Sequence, residues 1–273
     1  HLFGNGWFNR LESYHPVFNF SYLTPILFAR SFIFILRHHR EIKVIHVFGL
    51  AAAFIARFLK MFFRKPIVMS TETIYNFNLT SLFAIVSRWV LAGFDLILAG
   101  SLDSKEDILK VGVPADKIVV YTHWINLDIF RPGNKIELKK TLGWEPKFTA
   151  IFVGRLIHQK GISLFIEVVR QCRKEINFKI IGDDGPELPE VKKAAVEITN
   201  LEFIGRVPNE EMPRFFAAAD VFVYPALYQE DLARVLIEAM ACGTPVINTN
   251  KGSGIYELNE KVALVTPPTR EVI

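Results

Sequence analysis

A chain of 273 residues that is 51% hydrophobic cannot be intrinsically disordered, and its length suits one large domain or two of ordinary size. No apolar run reaches the ~18–20 uninterrupted residues that a bilayer-spanning helix needs. The net charge of +4 is unevenly distributed, because residues 1–100 hold ten Lys and Arg against four Asp and Glu.

The basic first third favours anionic neighbours. Residues 51–65 interleave aromatic and aliphatic side chains with four cations, and Arg37-His38-His39-Arg40 lies upstream. A basic amphipathic helix of this kind can lie in a membrane interface, or it can pack its aromatics in the core and leave its cations in water. We favour peripheral contact with an anionic membrane and expect a cytoplasmic protein, with the inner face of the cell membrane as that surface. Nucleic acid is not an expected partner, because no reader motif is present.

Short β-branched runs alternate with helical patterns along the whole chain. In residues 162–173, for example, Ile162, Phe165, Ile166 and Val169 recur at helical spacing on one face. This alternation predicts an α/β fold, with parallel sheets covered by helices on both faces. The predicted strands are residues 42–48, 66–71, 96–101, 118–121, 149–153, 178–181, 201–204, 221–224 and 245–248.

The alternation breaks at Arg131-Pro132-Gly133-Asn134-Lys135, which is followed by a polar stretch. Pro, Gly and Asn together mark a turn. We therefore predict a linker at 133–145 between two Rossmann-like domains at 1–132 and 146–273. Ligands of such folds bind outside the carboxyl ends of the strands, so two facing domains imply a cleft between them.

A basic loop follows the strand predicted at 149–153. The strand ends at Gly154, the loop carries Arg155 and Lys160, and Gly161 opens the next helix. The free N–H groups of a helix start attract an anion, and Arg and Lys add two positive charges. The pattern favours diphosphate binding, although a solvated loop could share it.

Two glutamates define a second candidate site. Glu230 precedes a predicted helix that Gly243 should end, and Glu238 lies on that helix among apolar neighbours. A carboxylate in such surroundings needs donors, such as sugar hydroxyls. The alternative is an i,i+4 ion pair between Arg234 and Glu238, which would contribute a few tenths of a kcal/mol, roughly 0.3.

These elements together resemble the family-4 retaining glycosyltransferases of GT-B architecture over nearly the whole chain. The matching segments are Gly154-Arg155-Leu156 with Lys160-Gly161, Ile181-Gly182-Asp183-Asp184-Gly185-Pro186, Phe203-Ile204-Gly205-Arg206-Val207, Ala219-Asp220-Val221, and Glu230 followed by Glu238-Ala239-Met240-Ala241 ahead of Gly243-Thr244-Pro245-Val246.

The resemblance implies a donor site in the second domain. In that domain Arg155 and Lys160, with Gly154 and Gly161 in the same loop, would hold the diphosphate of a nucleotide sugar. Glu238 would bind the ribose hydroxyls, and backbone near Val207 would meet the base. The donor sugar would be bound by Glu230, Asp231, Leu232 and Ala233.

The resemblance also implies that the first domain carries the acceptor side, and that both termini are truncated relative to the family. Where the family places a His facing the transferred sugar, this chain has Glu72. Glu72 would accept hydrogen bonds from the sugar or stabilise a developing positive charge, unless it caps a helix. The loop Asp231-Leu232-Ala233 departs from the family's glycines and Phe.

The expected activity is a hexosyltransferase-type transfer from a nucleoside-diphosphate sugar to a hydroxyl, with retained configuration. A lipid-linked or cell-surface glycan precursor is the expected acceptor. No metal or other cofactor is expected, because Arg155, Lys160 and the helix dipole would stabilise the leaving diphosphate. Asp183-Asp184 suits a turn, and Cys172 and Cys242 suit buried apolar positions. The alternatives are a nucleotide-sugar epimerase on the same fold and a sugar-nucleotide-binding partner without turnover.

Overall fold

Two parallel β-sheets, one in each half of the chain, form the framework of the protein. The computed structural model describes residues 24–71, 73–121, 124–228, 233–250 and 263–267. These residues form two compact units that divide in sequence between residues 122 and 123. All strand pairs in both sheets are parallel within the described residues, which confirms the predicted α/β class.

The first unit contains a four-stranded sheet in the order β1-β2-β3-β4. Its central strands are apolar on both sides, and Ile67, Met69 and Ile97 are fully buried against the helices. The helices are α1 (Thr24–His38), α2 (Gly49–Phe63), α3 (Leu82–Ala92) and α4 (Leu102–Lys110), and the strands are β1 (Ile45–Phe48), β2 (Ile67–Ser70), β3 (Leu96–Ala99) and β4 (Ile118–Val120).

Helix α4 holds the loop that follows β2. The Asp107 carboxylate accepts hydrogen bonds from the backbone N–H groups of Tyr75, Asn76 and Phe77, at 2.9, 2.9 and 3.2 Å. Thr71, at the start of the same loop, accepts hydrogen bonds from the Gly100 backbone N–H and the Ser104 hydroxyl, both at 2.9 Å. Thr71 is therefore bound to the end of β3 and to α4 through its side chain, and residues 75–77 are bound to α4 through their backbone.

The second unit contains a six-stranded sheet in the order β10-β9-β8-β5-β6-β7. The strand order reverses between β5 and β8, and parallel sheets bind ligands at the carboxyl ends of strands beside such a switch point. The strands are β5 (Thr149–Val153), β6 (Asn177–Ile181), β7 (Leu201–Gly205), β8 (Val221–Tyr224), β9 (Val246–Thr249) and β10 (Leu264–Thr266), and the helices are α5 (Lys135–Thr141), α6 (Ile162–Gln171), α7 (Leu188–Glu197), α8 (Met212–Ala218) and α9 (Arg234–Ala241).

The predicted strands agree with the observed ones. Each of the nine predicted runs overlaps a strand, with ends shifted by up to three residues, and the helix predicted at 162–173 is α6. Strand β10 was not predicted, since its three residues give too short an apolar run to recognise.

The segment 133–145, which we expected to link the domains, contains helix α5. Asn134 caps its start by accepting a hydrogen bond from the Glu137 backbone N–H. The ammonium groups of Lys135 and Lys139 both bind the Asp220 carboxylate, which lies just before β8. This polar segment is thus packed on the second unit, and the domain limits at 132 and 146 stay a prediction.

Candidate functional site

A cleft of about 240 Å³ opens at the carboxyl ends of β5, β6 and β7 in the second unit. Parallel strands bring their carboxyl ends to one edge of the sheet, so three successive loops meet there. The lining residues are Val153, Gly154, Arg155, Ile181, Gly182, Asp183, Asp184, Arg206, Val207, Asn209, Met212 and Glu238.

The loops after β5 and β6 approach each other closely because glycine stands at the contact. A Cβ on Gly182 would lie 2.2 Å from the Gly154 carbonyl oxygen, so no other residue fits without displacing the backbone. The Leu156 N–H donates a hydrogen bond of 2.7 Å to the Asp184 carbonyl across the same contact. Backbone packing therefore fixes the cleft floor.

Asp183 and Asp184 lie in the loop between β6 and α7, and the turn within this loop is at residues 186–187. The Asp183 carboxylate lies 3.5 Å from the exposed Arg206 guanidinium. Across the described ranges, no group of three His, Cys, Asp or Glu residues is placed to hold a metal ion.

Gly161 begins helix α6, as the sequence predicted. Its φ of 72° lies in the left-handed region, and an added Cβ would lie 1.8 Å from the Pro225 carbonyl oxygen. A 3-10 turn, His158–Lys160, precedes it and ends with the Gly161 N–H bonded to the His158 carbonyl. The start of α6 therefore packs against Pro225, the residue that follows β8.

The two predicted diphosphate ligands occupy different surroundings. Arg155 is exposed and lines the cleft beside Gly154. Lys160 lies beside the end of β8, where its ammonium donates a hydrogen bond of 2.6 Å to the Tyr224 hydroxyl. The same ammonium lies 5.3 Å from the Tyr224 ring centroid and 5.8 Å from that of Tyr228.

Glu238 combines the two interpretations that the sequence left open. Its side chain lines the cleft from α9, and the residue is only 7% exposed. Burial raises its pKa, while the guanidinium of Arg234, 3.6 Å away, acts in the opposite direction. Arg234 is itself exposed, so Glu238 is a buried carboxylate with one long ionic contact at the edge of a cleft. Such a group gains from further hydrogen-bond donors.

Several predicted site residues lie outside the described part of the chain. These are Glu72, Glu230, Asp231 and Leu232. Ala233 is described and immediately precedes α9, where its carbonyl accepts a hydrogen bond from the Leu236 N–H. The structure thus brings Gly154, Arg155, Val207 and Glu238 to one cleft.

Sequence reasoning missed Arg206, Asn209 and Met212 as lining residues, and Tyr224 as the partner of Lys160. Arg206 lies two residues after the strand predicted at 201–204, so the strand-end rule could have identified it. Tyr224 ends the strand predicted at 221–224, so the same rule applies to it. Met212 carries no such signal, because its role depends on packing between distant segments.

The two cysteines are free thiols in apolar surroundings. Cys242 is buried, as predicted, and burial raises the pKa of its thiol to about 11, although a hydrogen bond from the Arg131 backbone N–H opposes the rise. Cys172 is only half-buried, but burial raises its pKa as well. Neither thiol is ionised at neutral pH, so neither is suited to act as a nucleophile.

Helix α2 in the first unit has features of both interpretations of its sequence, namely aromatics packed in the core and aromatics exposed for a membrane interface. Phe54 and Leu59 are buried in the core, whereas Phe58 and Phe62 are 44% and 64% exposed. Lys60 is bound to Asp95 at 2.7 Å. No helix in the described ranges is long and apolar enough to cross a membrane.

Near the edge of the first sheet, Nε2 of His46 and Oγ of Ser70 are hydrogen-bonded at 2.8 Å. His46 lies on β1, and Ser70 ends the neighbouring strand β2. Two polar side chains are thus paired between these neighbouring strands.

Known proteins resemble this chain along most of its length. A family model described as "Glycosyl transferases group 1" matches residues 134–271, and one described as "Glycosyltransferase Family 4" matches residues 2–129. An uncharacterised 41.2 kDa protein of the Klebsiella pneumoniae cps region is 27% identical over 79% of this chain and 62% of its own length. A GDP-mannose-dependent alpha-mannosyltransferase of Corynebacterium glutamicum is 28% identical over 79% of this chain and 52% of its own length. The chain therefore spans less than two thirds of either relative.

Among solved structures, Anabaena HepE in complex with UDP has a TM-score of 0.79 at 22% identity, covering 99% of this chain and 78% of that one. HepE has also been solved with UDP-glucose. A glycosyltransferase from Rickettsia africae has a TM-score of 0.79 at 17% identity, over 98% of this chain and 76% of that one. These likenesses confirm the expected fold.

Proposed function

Because the chain belongs to the group 1 glycosyltransferases, we propose that it carries the donor site of a retaining enzyme. This enzyme would move a sugar from a nucleoside-diphosphate sugar to a hydroxyl acceptor. The observation that carries the proposal is the cleft at the carboxyl ends of β5, β6 and β7, where Arg155 and the buried Glu238 face one space.

The proposed chemistry is charge stabilisation of the leaving diphosphate. As the glycosidic bond breaks, negative charge grows on the diphosphate oxygens, and Arg155 and Lys160 offset it together with the start of α6. A guanidinium can bind two phosphate oxygens at once, and an ammonium acts as a point charge. We propose that these groups make a metal unnecessary.

The nucleoside would occupy the cleft itself. Ribose hydroxyls would donate to the Glu238 carboxylate, which is buried and has only Arg234 as a charged neighbour among the described residues. The base would lie against backbone near Val207, at the end of β7. UDP and UDP-glucose, which HepE binds, are the first ligands to try.

The transferred sugar would be held by groups from both halves of the sequence. We propose that Glu230, with Asp231, Leu232 and Ala233, cradles it from the segment between β8 and α9. Glu72 would accept hydrogen bonds from it or stabilise positive charge at the reacting carbon.

For the acceptor, we propose a lipid-linked or cell-surface glycan precursor reached at an anionic membrane surface. Support comes from the exposed Phe58 and Phe62 and the exposed cation Arg64 on and next to α2. We place the acceptor side in the domain at 1–132 and the donor side at 146–273.

Incubating the full-length protein with candidate donors, with and without glycolipid acceptors, tests this function. Nucleoside diphosphate that is released only when acceptor is present supports transfer. An isomerised donor would instead indicate an epimerase, and saturable donor binding with no product would indicate a binding partner without turnover. Either of those two results contradicts the proposal.

A further inference from the structure

Two tyrosine side chains, Tyr224 and Tyr228, contact the ammonium of Lys160. It donates a hydrogen bond of 2.6 Å to the Tyr224 hydroxyl and lies over the rings of Tyr224 and Tyr228, at 5.3 and 5.8 Å from their centroids. Lys160 lies in the loop after β5, and Tyr224 is the last residue of β8, the strand that pairs with β5 at the switch point. The contact therefore joins the two strand ends beside which a ligand of this sheet would bind.

Tyr224 is a rigid support for this hydrogen bond. It is 1% exposed, and its ring lies in the core, 5.9 Å from the centroid of Phe222. A tyrosine ring has two side-chain torsions, and close packing fixes both, so the position of the hydroxyl is fixed as well. Phenylalanine would fill the same core volume, so packing alone does not require the hydroxyl.

A lysine that must meet a phosphate benefits from such a support. Its four-carbon side chain has considerable rotamer entropy, which is lost when the ammonium is immobilised on a ligand. A partner that fixes the ammonium before the ligand arrives removes part of that cost from binding. A phenol accepts the hydrogen bond without adding a negative charge, and the aromatic faces attract the cation further.

We infer that Tyr224 is a positioning residue, which places the Lys160 ammonium to bind the diphosphate of the donor. The inference rests on the proposed function, because it assumes that Lys160 meets a diphosphate. Beyond that function, it names Tyr224 as a residue that acts through Lys160, and it predicts how Tyr224 affects the selectivity for nucleoside diphosphates over monophosphates. The hydroxyl of Tyr224 contributes to recognition of a nucleoside diphosphate and contributes little to recognition of the matching monophosphate.

Calorimetric binding of nucleoside diphosphates and monophosphates to the full chain tests this inference. The probes are UDP, GDP and ADP, and the tightest of the three is compared with its own monophosphate. For Tyr224→Phe we expect diphosphate affinity to fall about ten-fold, as for loss of a hydrogen bond to a charged group, and monophosphate affinity to change less than about two-fold. In a Lys160→Met background, Tyr224→Phe should cause no further loss, because the ammonium through which it acts is gone.

Thr244→Val is the matched control. Thr244 is buried and donates its hydroxyl to the Phe216 carbonyl at 2.6 Å, so the variant also loses a buried hydrogen bond of this unit. We expect a lower melting temperature with an unchanged ratio of diphosphate to monophosphate affinity. Thermal unfolding of every variant separates loss of fold from loss of selectivity, and Lys160→Met, which leaves the core intact, should reproduce the loss of selectivity by itself.

The outcomes are distinguishable. If the wild-type chain binds none of the diphosphates, the proposed donor site is wrong, and the inference falls with it. If the wild type binds a diphosphate but Tyr224→Phe leaves the affinity ratio unchanged, or still lowers diphosphate affinity in the Lys160→Met background, then Tyr224 does not position Lys160 and only this inference is overturned.

Discussion

Arg155 and Glu238 line one cleft with opposite charges, and Arg155 is exposed whereas Glu238 is buried. Each residue leads to a separate prediction. Arg155 is exposed at a strand end, so a change there removes charge with little effect on packing. Glu238 is 7% exposed, so a change there alters both binding and stability. Comparing the two separates recognition from folding.

For Arg155→Ala we expect turnover of the full-length enzyme to fall by about 10²–10³, the typical result of losing one preorganised group that stabilises transition-state charge. The melting temperature should stay close to that of the wild type. Arg170→Ala is the control, since Arg170 is an exposed cation of the same unit whose partner is Glu197 on α7. Equal activity of the two variants would contradict a role for Arg155 in catalysis.

For Glu238→Gln we expect weaker nucleoside diphosphate binding together with a higher melting temperature at pH 7. Burial raises the pKa of Glu238 in the folded state, so the wild type loses stability as the pH rises from the ordinary value of 4.5 through the raised value. Below the ordinary value of 4.5 the carboxyl is protonated in both states, and the difference between the variant and the wild type should vanish. Melting curves from pH 4 to 8 check this, and a constant difference would contradict it.

At the scale of elements, helix α5 is attached to the second sheet by partly buried ion pairs with Asp220. Burial raises the pKa of Asp220, but hydrogen bonds from Lys139, Lys135 and the Thr149 backbone N–H outweigh it and hold the pKa below its ordinary value of 3.8. The carboxylate thus joins α5, the start of β5 and the residue before β8.

For Asp220→Asn we expect a loss of roughly 2–3 kcal/mol in the free energy of unfolding at pH 7, since several hydrogen bonds lose their charge. A carboxylate with a lowered folded pKa stabilises the protein above its unfolded value and ceases to do so as the pH falls through the folded value. The difference should therefore shrink when urea unfolding is measured below pH 3.8. Lys193→Ala removes an exposed ion pair of the same unit and should change stability by less than about 0.5 kcal/mol.

The start of α6 gives a second prediction at this scale. Gly161→Ala places a Cβ 1.8 Å from the Pro225 carbonyl oxygen at a φ of 72°, so the backbone must move. Gly143→Ala has a similar φ of 69° and no atom within 4 Å of the added Cβ. We expect the control, Gly143→Ala, to lose about 1 kcal/mol in the free energy of unfolding from the positive φ alone, and Gly161→Ala to lose clearly more. If thermal unfolding shows the same loss of stability for both variants, the contact with Pro225 is unimportant.

For the whole molecule, the uneven charge of the sequence leads to a prediction about surfaces. The basic first third contains exposed aromatic side chains on α2, which is the combination that favours an anionic membrane interface. The full-length protein should therefore bind vesicles that contain anionic lipid better than neutral vesicles, and salt should weaken the binding.

A Phe58→Ser/Phe62→Ser variant should reduce vesicle affinity roughly ten-fold, because two partly exposed aromatics can no longer be buried in the interface. Ile136→Ser is the control, since Ile136 is 80% exposed on α5 in the second unit. Co-sedimentation measures both variants. Equal binding of the two, or equal binding to neutral and anionic vesicles, would contradict the membrane proposal.

The amino-acid sequence by itself determined nine of the ten described strands, that the sheets are parallel, and which loops follow the carboxyl ends of those strands, but it missed β10 and helix α5. Those features are encoded locally, by apolar periodicity and by glycines such as Gly161. The tertiary structure alone decided that Glu238 is buried, that Lys160 meets Tyr224 across 64 residues of chain, and that Lys139 meets Asp220 across 81. Local patterns cannot specify such pairs, because strand order and helix packing determine which distant side chains share one environment.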